Sequence, residues 1–229
     1  MLREPGAGSL LLALVPIAGM LSDTGRSVRA MFDNLRADID RHVVLSEHRV
    51  PGFILYCGTP ALWATADYRA RRWVNLHVKW RVLRAVLRGL GCLSALVTQV
   101  VTGIQLSSEA EIGKGFYIGH HGCIVVGGCR MGENCSLHQD VTIGAAGRGE
   151  KRGTPIIGDR VYIASGARII GPVVVGNDVA IGANAVVTKS LPDRAVAVGV
   201  PAKVISLKGS SDFIKLRDTQ GREQARRGR

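Results

Sequence analysis

An aliphatic residue returns every six positions through most of the second half of the chain. The thirteen positions are Leu106, Ile112, Ile118 and Ile124, then, one residue late, Met131, Leu137 and Ile143, and after an interruption Ile157, Ile163, Ile169, Val175, Ile181 and Val187. A period of six does not match the 3.6-residue period of an α-helix. It predicts short flat strands joined by turns, three to a coil, stacked into a triangular prism in which each coil buries its aliphatic row against the next.

The period is interrupted at residues 144–156, which read "GAAGRGEKRGTPI". A stretch so rich in glycine and charge cannot supply the aliphatic row, so we expect it to leave the prism as a protruding loop. Loops held on a rigid scaffold often carry function.

The first half of the chain has helical spacing instead. Val28, Met31, Phe32, Leu35 and Ile39 recur at intervals of three and four, and the segment 51–60 ("PGFILYCGTP") breaks the pattern. One or two further helices are predicted up to the first coil. The predicted organisation is therefore an apolar N-terminal extension (1–22), an α-helical domain (23–104), the prism (105–207) and a basic C-terminal tail (208–229).

The composition agrees with a fold of repeated tight turns, because the chain has 29 glycines but only 5% aromatic residues. The five cysteines lack a CxxC pair, which argues against a zinc ribbon or a disulfide framework and favours a reducing compartment. Cys123, Cys129 and Cys135 are six residues apart, so they fall on different prism faces. We predict that they are small buried apolar residues.

The net charge of +12 is concentrated in two segments, 68–89 and 215–229. The first has seven Arg or Lys residues, no acid, and the apolar residues Trp73, Leu76, Trp80, Leu83 and Leu87 at helical spacing. Such a helix suits contact with an anionic membrane surface, or packing within an oligomer. No base-stacking or groove-reading motif accompanies the charge, so specific nucleic-acid binding is not expected. The N-terminal extension carries only about fourteen apolar or small residues, too few to span a bilayer as a helix.

Several ordered segments resemble the left-handed β-helix acetyltransferases, closest to serine O-acetyltransferase and to relatives that acetylate sugars of surface polysaccharides. They are "GHHGCIVVGG" (119–128), the interrupting loop, "GDRVYIASGARIIG" (158–171) and "AVGVPAKV" (197–204), together with Ala64, Tyr68, Arg69 and Trp73 in the helical part. The resemblance implies a mainly β fold, a left-handed parallel β-helix of hexapeptide repeats preceded by a small α-helical domain. It also implies a cytoplasmic homotrimer, or a dimer of trimers, with acetyl-CoA bound between neighbouring prisms and no metal. Membrane contact through 68–89 would place the protein at the inner face of the membrane.

His120 stands where the family has its catalytic histidine, the general base that takes the proton of the acceptor hydroxyl. We expect His121, His138, Asp140, Thr154 and Gln105 to support the site or bind the acceptor. The residues expected to contact acetyl-CoA are Gly144, Ala145, Ala146, Ala164, Gly166, Ala167, Gly182, Ala183, Lys189 and Lys203, with Arg168 as a further basic partner for its phosphates.

Five positions depart from the serine acetyltransferase pattern. The aspartate that would orient the histidine is Gln105, the following "HP" is Ser107–Ser108, the acid before the histidine is Gly119, and a second histidine is Thr154. A loop ending in "GTPIIGD" is more typical of the polysaccharide branch, so a sugar hydroxyl is the predicted acceptor. L-serine is the alternative acceptor. A minor alternative is a metal enzyme like the γ-class carbonic anhydrases, with His120, His121 and His138 as ligands.

Overall fold

The structure is a computed structural model that describes residues 8–45, 58–149 and 152–214, with side chains from residue 27 onward. Three helices come first: α1 (Gly8–Leu45), α2 (Pro60–His77) and α3 (Arg81–Thr102). Helix α1 runs without interruption through the predicted boundary between residues 22 and 23. The two further helices expected before the first coil are present as α2 and α3. Most of the predicted break at 51–60 lies outside the described residues.

Fifteen short strands follow the helices. They are β1 (Ile104–Leu106), β2 (Glu111–Ile112), β3 (Tyr117–Ile118), β4 (Ile124–Val126), β5 (Arg130–Met131), β6 (Ser136–Leu137), β7 (Thr142–Gly144), β8 (Ile156–Ile157), β9 (Tyr162–Ile163), β10 (Arg168–Ile170), β11 (Val174–Val175), β12 (Ala180–Ile181), β13 (Val186–Val187), β14 (Val196–Val198) and β15 (Lys203–Ser206).

The strands form three parallel sheets, one on each face of a prism. Sheet A has the order β1-β4-β7-β10-β13, sheet B β11-β8-β5-β2, and sheet C β15-β14-β12-β9-β6-β3, with only the β14–β15 pair antiparallel. The chain passes from A to B to C in every coil. The turns therefore line up along three edges, of which the C/A edge and the A/B edge matter below. The predicted parallel β-helix with helices at its N-terminal end is confirmed.

The core of the prism is the six-residue pattern itself. All thirteen aliphatic positions are at most 5% exposed. The small residues four positions later, such as Ala110, Cys135 and Ala167, are fully buried at the corners. Cys129 and Cys135 are buried as predicted, but Cys123 is exposed, because it occupies a turn at the C/A edge with a φ of 53°.

Helices α1 and α2 are fastened to the first coil by a buried ionic cluster. The Asp38 carboxylate on α1 accepts hydrogen bonds from the Arg69 guanidinium on α2 and from the Phe116 N–H in the prism. Arg69 also donates to the carbonyl oxygens of Ile112 and Gly113, each at 2.6 Å. Asp38 and Arg69 are 0% and 5% exposed, so the charges neutralise each other away from water.

Helix α3 turns its apolar side away from the rest of the described chain. We call this side the outer face of α3; its large residues, each 42–78% exposed, are Val82, Leu83, Val86, Leu90, Leu93, Leu96, Val97, Val100 and Val101. The polar side faces inward, where Arg88 donates to Asn75 and Ser94 to Asp67. Of the described helices, only α3 has the length and hydropathy of a membrane span, which a helix at a protein interface can share.

Candidate active site

His120 lies at the C/A edge, in the turn between β3 and β4, and both it and His121 are exposed. The turn is tight because Gly122 and Cys123 have φ angles of 113° and 53°. The turn before β1 packs directly against it: a Cβ on Gly103 would lie 3.0 Å from the Gly122 Cα. The histidine is thus presented to solvent by a rigid, closely packed corner.

His138 lies beside His120 on the next coil. Their ring centroids are 6.0 Å apart. Strand β3 pairs with β6 so that Ile118 is level with Leu137, because this coil contains one extra residue. His138 therefore follows its strand at the level of Gly119 and not of His120. Burial lowers the pKa of His138, and the neighbouring His120 lowers that pKa further.

Asp140 is paired with Arg168 and not with His120. Its carboxylate oxygens accept two hydrogen bonds from the Arg168 guanidinium, at 3.0 and 3.1 Å. Arg168 also donates to the Asp140 and Gly166 carbonyl oxygens. Gln105 lies on sheet A, level with Val125. Among the described residues, no carboxylate is hydrogen-bonded to His120.

Thr154 lies on the other edge of sheet A, at the base of the protruding loop. The loop is closed by two hydrogen bonds between the backbones of Ala146 and Gly153, at 3.0 and 3.2 Å. The methyl group of Thr154 and the carboxylate of Glu109 are each 3.9 Å from the point where a Cβ on Gly128 would lie. The base of the loop therefore lies at the A/B edge, which the sequence did not indicate.

The residues expected to bind acetyl-CoA are divided between these edges. Ala164, Gly166, Ala167, Gly182 and Ala183 share the C/A edge with His120, whereas Gly144, Ala145, Ala146 and Lys189 share the A/B edge with Thr154, and Lys203 lies in β15. A three-residue strand of sheet A spans about 10 Å between the two edges. Within one chain, His120 and the loop therefore lie at the two opposite prism edges that border sheet A.

Two aromatic residues at the site were not predicted. Tyr162 lies 5.1 Å from His138 between ring centroids, and Phe213 stacks on Tyr162 at 4.7 Å. The six-residue phase could have indicated Tyr162, which precedes the buried Ile163 and so points outward on sheet C. Phe213 lies in the predicted tail, whose described part (208–214) contacts the prism: the Ser210 hydroxyl donates to the Arg160 carbonyl oxygen at 2.6 Å.

The described residues contain no group of three His, Cys, Asp or Glu side chains placed to hold a metal ion. Within one chain, His120, His121 and His138 are not grouped in this way.

Comparisons with known proteins agree with the architecture. The bacterial transferase hexapeptide family (six repeats) matches residues 154–189. The chain is 33% identical over 159 residues to a serine acetyltransferase of Staphylococcus xylosus, covering 67% of each protein. It is 37% identical over 155 residues to a serine acetyltransferase of Staphylococcus aureus, covering 67% of this chain and 68% of the relative. The chain thus spans about two thirds of the length of these relatives.

Solved structures are similar over most of the chain. A serine acetyltransferase in complex with CoA matches 82% of this chain and 74% of its own, with a TM-score of 0.67 and 26% identity. The serine acetyltransferase of Neisseria gonorrhoeae in complex with serine matches 82% of this chain and 72% of its own, with a TM-score of 0.66 and 25% identity. None of these relatives is a polysaccharide enzyme, so the predicted polysaccharide branch has no support among them.

Proposed function

Since the chain belongs to the hexapeptide-repeat transferases, among relatives named serine acetyltransferase, we propose that it transfers the acetyl group of acetyl-CoA to the hydroxyl of L-serine. It is an acyltransferase with acetyl-CoA as co-substrate. The observation that carries the proposal is the exposed His120 at the C/A edge, on a chain that overlays for 82% of its length on a serine acetyltransferase in complex with CoA.

His120 acts as the general base. As the acceptor oxygen attacks the thioester carbon, His120 takes the hydroxyl proton, and it returns that proton to the departing CoA thiolate. A base of this kind accelerates such a step by about 10²–10⁴-fold. The backbone N–H of Ala146 is already bonded to the Gly153 carbonyl, so the N–H of Ala145 is the better candidate donor to the tetrahedral oxyanion.

The site is completed by a second copy of the chain. About 10 Å of sheet A separates His120 from the loop, so one thioester cannot contact both within a chain. A thioester that contacts both would therefore lie between neighbouring prisms. The proposed assembly is a homotrimer, and the outer face of α3 is the apolar surface that a neighbouring copy would cover. This face spans residues 82–101 and overlaps only at 82–89 with the segment 68–89, for which membrane contact or packing within an oligomer was predicted.

The assembly is tested by light scattering on the purified protein. The trimer mass is expected for the wild type, and Leu93→Glu, which places a charge in the outer face of α3, should lower it. Asp212→Ala, a substitution at an exposed site away from α3, serves as the matched control. A wild-type monomer that sediments with anionic vesicles, but not with neutral ones, would overturn the assembly and assign α3 to a membrane surface.

A sugar hydroxyl is the second candidate acceptor. It is favoured by Thr154, which replaces the second active-site histidine, and by Gln105 and Gly119, which replace two acids of the serine acetyltransferase pattern. Three fewer ionisable groups leave a site less suited to a zwitterionic amino acid and more suited to a neutral polyol.

The experiment is free-thiol release from acetyl-CoA with L-serine and with a panel of sugars and sugar nucleotides. Release with L-serine that His120→Ala abolishes, and that His121→Ala retains, is the expected result. His120-dependent release only with a sugar would replace L-serine as the acceptor. Release that is unaffected by His120→Ala would refute the assigned base.

A further inference from the structure

Gly119 leaves a space that the ring of His138 occupies. A Cβ on Gly119 would lie 2.7 Å from both Cε1 and Nδ1 of His138, and 3.4 Å from Cε1 of Tyr117. Gly119 is not among the residues with a positive φ, so its backbone conformation does not require glycine. It is the missing side chain that matters here, because it lets an imidazole lie against the backbone next to His120.

The ring of His138 is held from several sides. The backbone is fixed by hydrogen bonds from the His138 N–H to the Ile163 carbonyl and from the Gly119 N–H to the Leu137 carbonyl, at 3.1 and 2.8 Å. Tyr162 packs on the side away from His120, and Phe213 stacks on Tyr162 in turn. His138 is therefore a supported neighbour for the exposed and otherwise unsupported ring of His120.

The charges around His138 keep it neutral when His120 carries a proton. His120 and burial both lower the pKa of His138, while burial raises the pKa of Tyr117 and of Tyr162, so these phenols stay neutral near pH 7. The nearest carboxylate along the chain, Asp140, is paired with Arg168. A neutral imidazole beside His120 can orient it without competing for the proton.

We propose that His138 is a positioning residue for His120, taking the place of the missing carboxylate, and that Gly119 is required because it makes room for the His138 ring. The inference rests on His120 being the general base. Gly119 departs from the serine acetyltransferase pattern, and in this chain it would compensate for the missing carboxylate by admitting the His138 ring.

A double-mutant cycle tests the coupling. Gly119→Ala and His138→Ala should each lower kcat by about 10²-fold, the cost typical of a misplaced catalytic group, with a much smaller change in the KM for acetyl-CoA. The double variant should be no slower than either single variant, because both remove the same support. Losses that multiply in the double variant would overturn the proposal. Gly58→Ala, at a position where a Cβ meets nothing within 4 Å, is the matched control.

A second readout does not depend on turnover. In wild-type protein with ¹³C-labelled histidine rings, the NMR titration should give His138 a pKa below the ordinary value, and Gly119→Ala should raise it by releasing the ring to solvent. The His120 ring signal should shift in His138→Ala. A His120 ring signal identical with and without His138 would refute the positioning function, even if thiol release were abolished by His120→Ala. Lack of His120-dependent release with every acceptor would refute the proposed function separately.

Discussion

Lowering the pH from 7 to 4 should destabilise the protein through His42, and His42→Phe should remove that part of the loss. His42 is on α1, is 4% exposed, and packs on Tyr117 with ring centroids 4.6 Å apart. Its Nδ1 lies 2.8 Å from the Asp38 carbonyl oxygen and so donates to it, whereas its Nε2 has no hydrogen-bond partner among the described residues. A proton added to Nε2 would be buried, and the nearby Ile118 backbone only partly offsets the lost hydration.

The size of this loss in stability follows from the difference in the His42 pKa between the folded and the unfolded protein. Burial lowers the pKa of His42 from 6.5 to about 4 in the folded protein, whereas the unfolded chain keeps the ordinary value. As the pH falls below 6.5, the unfolded chain binds the proton first, so stability present above pH 6.5 is lost down to about pH 4. At about 1.4 kcal/mol per pKa unit, the loss is about 3 kcal/mol. Burial raises the pKa of Asp38 to about 6, which acts in the opposite direction in both proteins and cancels in their difference.

The assay is urea unfolding at pH 7, 6, 5 and 4, with the free energy of unfolding extrapolated to water. Between pH 7 and 4, the free energy of unfolding of wild type should fall by about 3 kcal/mol more than that of His42→Phe. His77→Phe, at an exposed histidine on α2, should leave the pH dependence of the wild type unchanged. Parallel curves for wild type and His42→Phe would refute the assignment of a buried neutral imidazole.

Two further predictions concern charge and burial. Arg69→Gln should cost about 3–5 kcal/mol of unfolding free energy, because it leaves the buried Asp38 carboxylate unpaired. Arg160→Gln should cost below about 1 kcal/mol, because its ion pair with Asp178 is 38–39% exposed. Equal losses in chemical denaturation would contradict this difference. Burial raises the pKa of the Cys129 and Cys135 thiols to about 12, so at pH 8 an alkylating reagent should label Cys123 in the native state and the other two only after unfolding, as read by peptide mapping.

The prism could be predicted because its stabilising contacts are nearly local in sequence. Each buried position such as Ile163 packs on residues one coil away, so the packing appears in the sequence as an apolar residue at every sixth position. The phase shift before Met131 also indicated an irregular coil. It did not indicate that the extra residue would place His138 level with Gly119, because the register between coils depends on where the turn absorbs that residue.

The helical part was less predictable because its contacts join distant segments. Nothing in the pattern around Asp38 indicates that its partners are Arg69, 31 residues away, and Phe116, 78 residues away. The apolar stripe of 69–88 was recognised, but the exposed face continues to Val101. Amphipathic spacing shows which residues share a face of a helix and not whether that face meets the same chain, another copy or solvent.

The buried cluster around Asp38 and Arg69 shows what the helices contribute to the prism: they cover its first coil. An end coil has a neighbour on one side only, and here the end coil leads into the corner that carries His120. Arg69 binds the Ile112 and Gly113 carbonyls that follow β2, and Arg41 binds the Gly115 carbonyl and the Ser136 hydroxyl, at 2.6–2.8 Å. His42 packs on Tyr117, three residues before His120. The helices thus cover the end coil next to the site, and α1 contacts the strand that leads into the His120 turn.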